Sequence, residues 1–300
     1  MPKIAASIAS GVRNARVLHS TIEVDGIKVF YREAGPKDAP VLLLLHGFPS
    51  SSHMFRELMP ILAFRYRTIA PDLPGFGFTE VGEERKYGYT FDSFAKTIEA
   101  FVDALGLRQY AMYVFDYGAP TGYRLAMARR ERVRAIISQN GNAYEAGLSD
   151  AWNPIREYWR QPTQENRDAL RQILSFEGTK WQSIHGVADP SVIAPESYTL
   201  DAALLERPHV KEVQLDIFLD YASNVALYPA FQQYFRESKP PTLAIWGQND
   251  PFFLPAGAEA YRRDNPNVTV KLLDTGHFAL ETHVEEIADE VDQFLSGIEN

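Results

Sequence analysis

The chain has 300 residues, no cysteine, a net charge of -9 and 45% hydrophobic residues. These figures exclude a disulfide framework, a Cys-ligated metal site and a thiol nucleophile, and with no long basic run they exclude a surface that tracks nucleic-acid phosphates. The longest apolar stretch, Val41–Leu45, is about a quarter of the ~20 residues a membrane span needs. In Met1–Ser20, Ser and Arg interrupt the short Ile/Ala stretch before an export signal forms. The expectation is a cytoplasmic protein that engages neither membrane nor nucleic acid, with Asn267-Val-Thr a chance match to the glycosylation triplet.

Short apolar runs predict strands at Ile27–Tyr31, Val41–Leu45, Thr68–Ala70, Ala111–Phe115, Ala135–Ser138, Leu243–Trp246 and Val268–Leu273. Between them Phe91, Phe94, Ala95, Ile98, Phe101, Val102 and Leu105 recur at helical spacing, which predicts a helix opened by Thr90 as N-cap and stopped by Gly106. Strand alternating with helix implies a mostly parallel sheet covered by helices on both faces, with binding sites beyond the C-terminal ends of its strands. The alternation breaks between Asn142 and Arg236, where Trp152, Trp159, Trp181, Tyr144, Tyr158, Tyr198, Tyr221 and Tyr228 lie among helical segments. This predicts a helical cap, residues 142–236, inserted between core segments 1–141 and 237–300; the alternative is further helical core. Lys239-Pro-Pro is the expected hinge back into the sheet.

The chemistry centres on Ala111–Ala126, an apolar strand, a tight turn and a helical run. A residue at such an elbow is thrust above the sheet edge beside backbone N–H groups and a helix N-terminus. No G-x-S-x-G occurs; Val114-Phe-Asp-Tyr-Gly118 puts Asp116 in the nucleophile's slot. Alone, Asp116 reads equally well as a helix cap. Asp250, in Gly247-Gln-Asn-Asp250, and His277, in Gly276-His-Phe, each follow a predicted strand, so carboxylate, carboxylate and imidazole all project from strand C-termini in the order of a hydrolase triad. His46, in His46-Gly-Phe-Pro49, lies at the same edge and serves mainly to hold a loop whose Phe48 N–H joins that of Tyr117 in an oxyanion hole.

These motifs, with Asp72-Leu-Pro-Gly-Phe-Gly77 and Gly276-His-Phe-Ala-Leu-Glu281, make the chain resemble an α/β-hydrolase with an aspartate nucleophile, the branch of epoxide hydrolases and dehalogenases. The resemblance runs from about Leu18 to the C-terminus. It implies that Asp116 attacks carbon to give an alkyl ester, which a water activated by His277, oriented by Asp250, then hydrolyses.

Epoxide opening needs a donor for the leaving oxygen, which the resemblance assigns to cap tyrosines. Tyr228 is the first candidate and Tyr158 the second, although the local match equally places Ile155 at the latter position, and Tyr144 and Tyr198 stay open. Both cap tyrosines also read as packing residues. Halide release wants Trp or Asn N–H donors; the positions that carry them in haloalkane dehalogenases are Tyr117 and Phe48 here, and the arginines of fluoroacetate-type enzymes are replaced by Tyr117 and Pro120, with Arg124 a turn later. Trp152 and Trp181 remain as donors. The Asp116-Tyr-Gly-Ala-Pro120 elbow resembles that of epoxide hydrolases more closely, so epoxide hydrolysis is favoured over dehalogenation, with a catalytically silent binding protein third. An ordinary esterase is disfavoured because a carboxylate attacking an acyl carbon gives an anhydride. His46, Trp152, Phe252 and Phe278 are expected to line a pocket for a small apolar substrate and water. No cofactor or metal is implied, since the histidines show no H-E-x-x-H spacing. Surface Phe and Tyr leave a homodimer open.

Overall fold

The computed structural model describes residues 15–299. The export-signal expectation rests largely on residues 1–14, which lie outside that range. Strands β1 (Leu18–Val24) and β2 (Ile27–Ala34) form an antiparallel hairpin whose two-residue turn, Asp25-Gly26, has φ of 49° and 71°. Those left-handed values match the twist of the flanking strands. β3 (Val41–Leu45) is followed by helix α1 (Leu58–Leu62), then β4 (Arg67–Pro71) and the short β5 (Glu80–Val81). Helix α2 (Phe91–Ala104), β6 (Tyr110–Phe115), α3 (Gly118–Ala128) and β7 (Val133–Gln139) complete the first part of the core.

Six helices then precede the next strand: α4 (Asn153–Arg160), α5 (Gln164–Ala169), α6 (Phe176–Ile184), α7 (Pro195–Leu205), α8 (Val210–Asp220) and α9 (Ala222–Ser238). Helix α9 ends at Lys239, whose φ of 45° turns the chain through Pro240-Pro241 into β8 (Thr242–Gly247). After α10 (Pro255–Ala260) come β9 (Val268–Leu273) and α11 (Val284–Glu299).

The nine-stranded sheet runs β1-β2-β4-β3-β6-β7-β8-β9, with β5 added on β2. From β4 to β9 every pairing is parallel. This is the α/β-hydrolase fold the sequence led us to expect. Alternate residues of the central strands face opposite layers. Leu43, Leu45, Met112 and Val114 pack with α2, whereas Leu42, Leu44, Tyr113 and Phe115 pack with α1 and α11. On α2 the fully buried Phe94, Ile98 and Phe101 each contribute roughly 1.5–3 kcal/mol of apolar burial. Thr90 Oγ1 accepts from Ser93 N at its start. At its end Leu105 is the cap and Gly106 the residue after it, φ 66°, with Gly106 N donating to Asp103 O and Leu107 N to Val102 O. That pair of bonds satisfies the last carbonyls of the helix.

All seven expected strands are present, extended by one to three residues where their bounds differ. β1 and β5 were not expected. β1 is largely exposed and mixed in composition, so it shows no apolar run, and β5 has only two residues.

Candidate active site

The elbow between β6 and α3 is built by close approach. A Cβ on Gly118 would run into the carbonyl of Leu45, and one on Gly47 would strike the Asp116 side chain. Asp116 itself sits at φ 48°, a conformation that costs a residue with a Cβ about 1–3 kcal/mol. Hydrogen bonds offset that strain: Phe48 N and Tyr117 N both donate to Asp116 Oδ1, at 2.7 and 2.6 Å. The two expected oxyanion donors therefore converge on one carboxylate oxygen and leave Oδ2 free.

His277 faces Oδ2, with Nε2 3.8 Å away. Its Nδ1 lies 2.6 Å from Asp250 Oδ2. Asp250 is held in turn by Phe252 N and Phe253 N, which donate to Oδ1 at 2.7 and 3.1 Å, and by Asn140 Nδ2, which donates to Oδ2 at 2.7 Å. Asp116, Asp250 and His277 are all buried. Burial pushes the Asp116 pKa up to about 6, against the opposing pull of His277 and the two N–H donors. Burial acts to lower the His277 pKa, but the charge and hydrogen bond of Asp250 and the charge of Asp116 outweigh it and leave the imidazole above its ordinary value.

His46 stands behind this site, fully buried. Its Nε2 accepts from Leu73 N at 2.9 Å and its Nδ1 lies 3.1 Å from Gly47 O, so it braces the loop and does not line the pocket. The other motifs are braces of the same loops. Asp72 accepts from Ser52 N and Phe78 N, each at 2.7 Å, and Arg56 makes a bidentate pair with Glu281 at 2.8 and 2.6 Å.

Over Asp116 and His277 lies a cavity of about 30 Å³, walled by Phe48, Tyr117, Trp152, Ile155, Phe218 and Phe252, with Ile173, Gln182 and Phe253 completing it. That volume holds about two water molecules as it stands. A larger cavity of about 260 Å³ lies at the opposite edge of the sheet, between β3, β6, β7 and α11, and is lined by none of Asp116, Asp250 and His277.

Several expected pocket residues stand elsewhere. Phe278 packs against Phe115 and His277 beside the cavity, with ring centroids 5.2 and 5.1 Å away. Tyr158 is turned from the site and its hydroxyl accepts from Arg167 at 3.0 Å; of the two residues at that local match it is Ile155 that lines the cavity. Helix α4 explains the exchange, because residues three apart lie about 60° apart around the axis, far enough for one to face the cavity and the other the next helix. Tyr228 is buried outside the lining, its hydroxyl accepting from Asn142 at 3.2 Å and sharing a hydrogen bond with Tyr221. Trp152 lines the cavity but spends its N–H on Phe252 O at 3.1 Å, and Trp181 is 44% exposed. Arg124 is tied to Asn224 and Ser223, at 2.6 and 3.1 Å.

Sequence reasoning missed Asn140, Tyr221 and Gln182. Asn140, at φ 46°, follows β7 at the strand edge where the triad assembles, a position that was the available signal. Tyr221 packs at a tilt against Trp152 at a centroid distance of 4.4 Å and against Tyr117 at 5.8 Å. Its pKa is pushed well up, by burial first and then by Tyr228 and the Asp116 charge.

The chain matches, over residues 40–284, the family described as alpha/beta hydrolase fold. It is 49% identical over 272 residues, 89% of this chain and 93% of the relative, to "Uncharacterized hydrolase YNR064C" of Saccharomyces cerevisiae. A haloalkane dehalogenase of Psychrobacter cryohalolentis is 34% identical over 140 residues, 46% of this chain and 45% of that one. Among solved structures, epoxide hydrolase CorEH superposes with a TM-score of 0.78 at 18% identity, covering 94% of this chain and 100% of that one, a likeness of fold alone. Among the described residues, no helix is long and apolar enough to cross a membrane.

Proposed function

The chain belongs to the α/β-hydrolase fold family, and from that membership and the carboxylate at its elbow we propose that it opens small apolar epoxides to diols through an alkyl ester of Asp116. One observation carries the reading: Asp116 Oδ1 is held by two backbone N–H groups while Oδ2 stands free between the cavity and His277. Oδ2 attacks a ring carbon, the C–O bond breaks, and its electron pair moves to the ring oxygen. The phenol of Tyr221, whose ring packs behind the lining against Trp152 and Tyr117 and which is hydrogen-bonded to Tyr228, is kept protonated by burial and supplies the proton that completes the hydroxyl. Tyr221 thus takes the place first expected of Tyr158.

In the second step His277 takes a proton from water, and the hydroxide attacks the ester carbonyl carbon of Asp116. Charge then gathers on Oδ1, where the N–H groups of Phe48 and Tyr117 already point. Asp250 orients His277 and stabilises its positive charge. The bond from the carboxyl carbon to the ester oxygen breaks, the departing alkoxide takes the proton of the new carboxylic acid and leaves as the diol, and the proton on His277 returns to the phenolate through solvent.

Halide displacement by the same carboxylate is the second reading. It is favoured by the N–H donor of Gln182 in the cavity, which suits a leaving anion, and by the name of the Psychrobacter relative. Turnover of an aryl epoxide and of a short bromoalkane, followed as diol formed and bromide released, tests the choice. Diol from the epoxide, lost in Asp116→Asn, is expected; bromide release without epoxide turnover moves the assignment to dehalogenation, and tight ligand binding with neither product moves it to a silent receptor.

A further inference from the structure

Helix α6 turns Thr179, Gln182 and Ser183 into the protein, a polar face where an apolar one is usual. Ser183 is satisfied by donating to Thr179 O at 3.2 Å. Gln182 is 4% exposed, lines the cavity with Asp116 and His277, and its side-chain N–H₂ has no hydrogen-bond partner. Buried amides without partners are rare, and one that lines a site is in place for an acceptor that arrives with the ligand.

Its position is fixed by the catalytic loops. Just beyond α6, Gly186 O accepts from Asn249 Nδ2 at 2.9 Å, next to Asp250. The carbonyl of His185 sits so close to Gly276, next to His277, that a Cβ there would collide with it. The segment carrying Gln182 is therefore seated on both the acid loop and the histidine loop. Tyr117, which also lines the cavity, has an unpaired phenol as well, its ring packed against Phe76, Phe91 and Tyr221.

In-line displacement sends the leaving group away from the attacking oxygen. Asp116 attacks from the elbow, so the departing atom moves toward the cap. We propose that the Gln182 amide holds the departing oxygen there, a role that rests on the ester reading above. As the bond from Asp116 Oδ2 to carbon forms and the ring C–O bond breaks, Nε2–H donates a hydrogen bond to the oxygen and keeps its proton. The Tyr221 phenol transfers the proton. The amide thus adds a hydrogen bond to the departing oxygen beside the phenol that protonates it.

The test is rapid-quench measurement of ester formation from an aryl epoxide in the His277→Gln background, with and without Gln182→Met. Ester formation is expected to fall about 10- to 100-fold, the loss of one hydrogen bond to a developing charge. Hydrolysis of preformed ester, measured with His277 intact, is expected to stay within about twofold of the parent. Gln182→Asn, which keeps the amide and withdraws it, gives a smaller loss and serves if Met disturbs the cap. Ester formation at the parental rate in both variants, or a loss confined to hydrolysis, overturns the assignment. No ester in the parent itself overturns the reading beneath it, and the assignment with it.

Discussion

His277 Nε2 stands 3.8 Å from Asp116 Oδ2, too far for a hydrogen bond, while its Nδ1 is 2.6 Å from Asp250. A serine nucleophile needs its base in contact, because the base must take the hydroxyl proton. An ionised carboxylate has no such proton. In the proposed mechanism the gap leaves room beside the ester for the oxygen of the water that His277 would activate.

Asp116→Asn keeps the two N–H contacts but removes the nucleophile. Turnover measured by product formation is expected to fall by about 10³-fold or more. His277→Gln lowers steady turnover comparably yet leaves the first step intact, so the two variants separate in a single-turnover experiment.

The acid limb of activity follows from Asp116. Burial raises its pKa to about 6, so it is protonated and inert below that value and attacks above it. The second step further requires neutral His277, whose pKa is also raised, so turnover climbs with pH through both ionisations. In His277→Gln the nearby positive charge that favours the carboxylate is gone, and the half-maximum of ester formation moves up. A pH profile of that rate checks the shift; a flat profile between about pH 5 and 8 contradicts it.

Asn140 clamps Asp250 and the end of β8, donating to Asp250 Oδ2 and accepting from Gly247 N at 3.0 Å. Asn140→Ala is expected to cost about 1.5–3 kcal/mol in stability, read by denaturant unfolding. It also slows ester hydrolysis more than ester formation, because only the second step uses His277 as a base.

Tyr221→Phe and Tyr228→Phe each remove one phenol of the proposed proton-donating pair. Epoxide opening is expected to slow about 10²-fold in either, in rapid-quench rates. Tyr158→Phe, whose hydroxyl meets only Arg167, leaves that rate unchanged.

Asp201, on α7, is buried, and burial raises its pKa to about 8 despite a hydrogen bond from Ser50. Between roughly pH 4 and that value the unfolded chain has released this proton and the fold retains it, so the residue erodes stability as pH rises. Asp201→Asn removes that dependence. Its Tm advantage over the parent is expected to grow from about pH 5 to 8, by calorimetry; an advantage that shrinks contradicts the sign.

The core and the grouping of Asp116, Asp250 and His277 were legible because each rests on a local pattern. Apolar runs mark the central strands, and Asp116, Asp250 and His277 each follow one. The stretch between β7 and β8 was legible only as a helical region. Which face of α4 meets the cavity depends on packing against α5 and α8, so Ile155 and Tyr158 exchanged roles. His46 was read from the sequence mainly as the holder of its loop, and its bond from Leu73 N fits that, whereas the pair that ties Glu281 to Arg56 is visible only in the folded chain. Gln182 carries no motif at all; its unpaired amide is visible only once the chain is folded.

The central claim is the Asp116 ester, and its most direct test is intact and peptide mass spectrometry of His277→Gln incubated with an aryl epoxide. The account predicts an adduct equal in mass to the whole epoxide, mapped to Asp116 and absent in the Asp116→Asn double variant. A folded His277→Gln protein with no adduct, or one mapped to another residue, contradicts it.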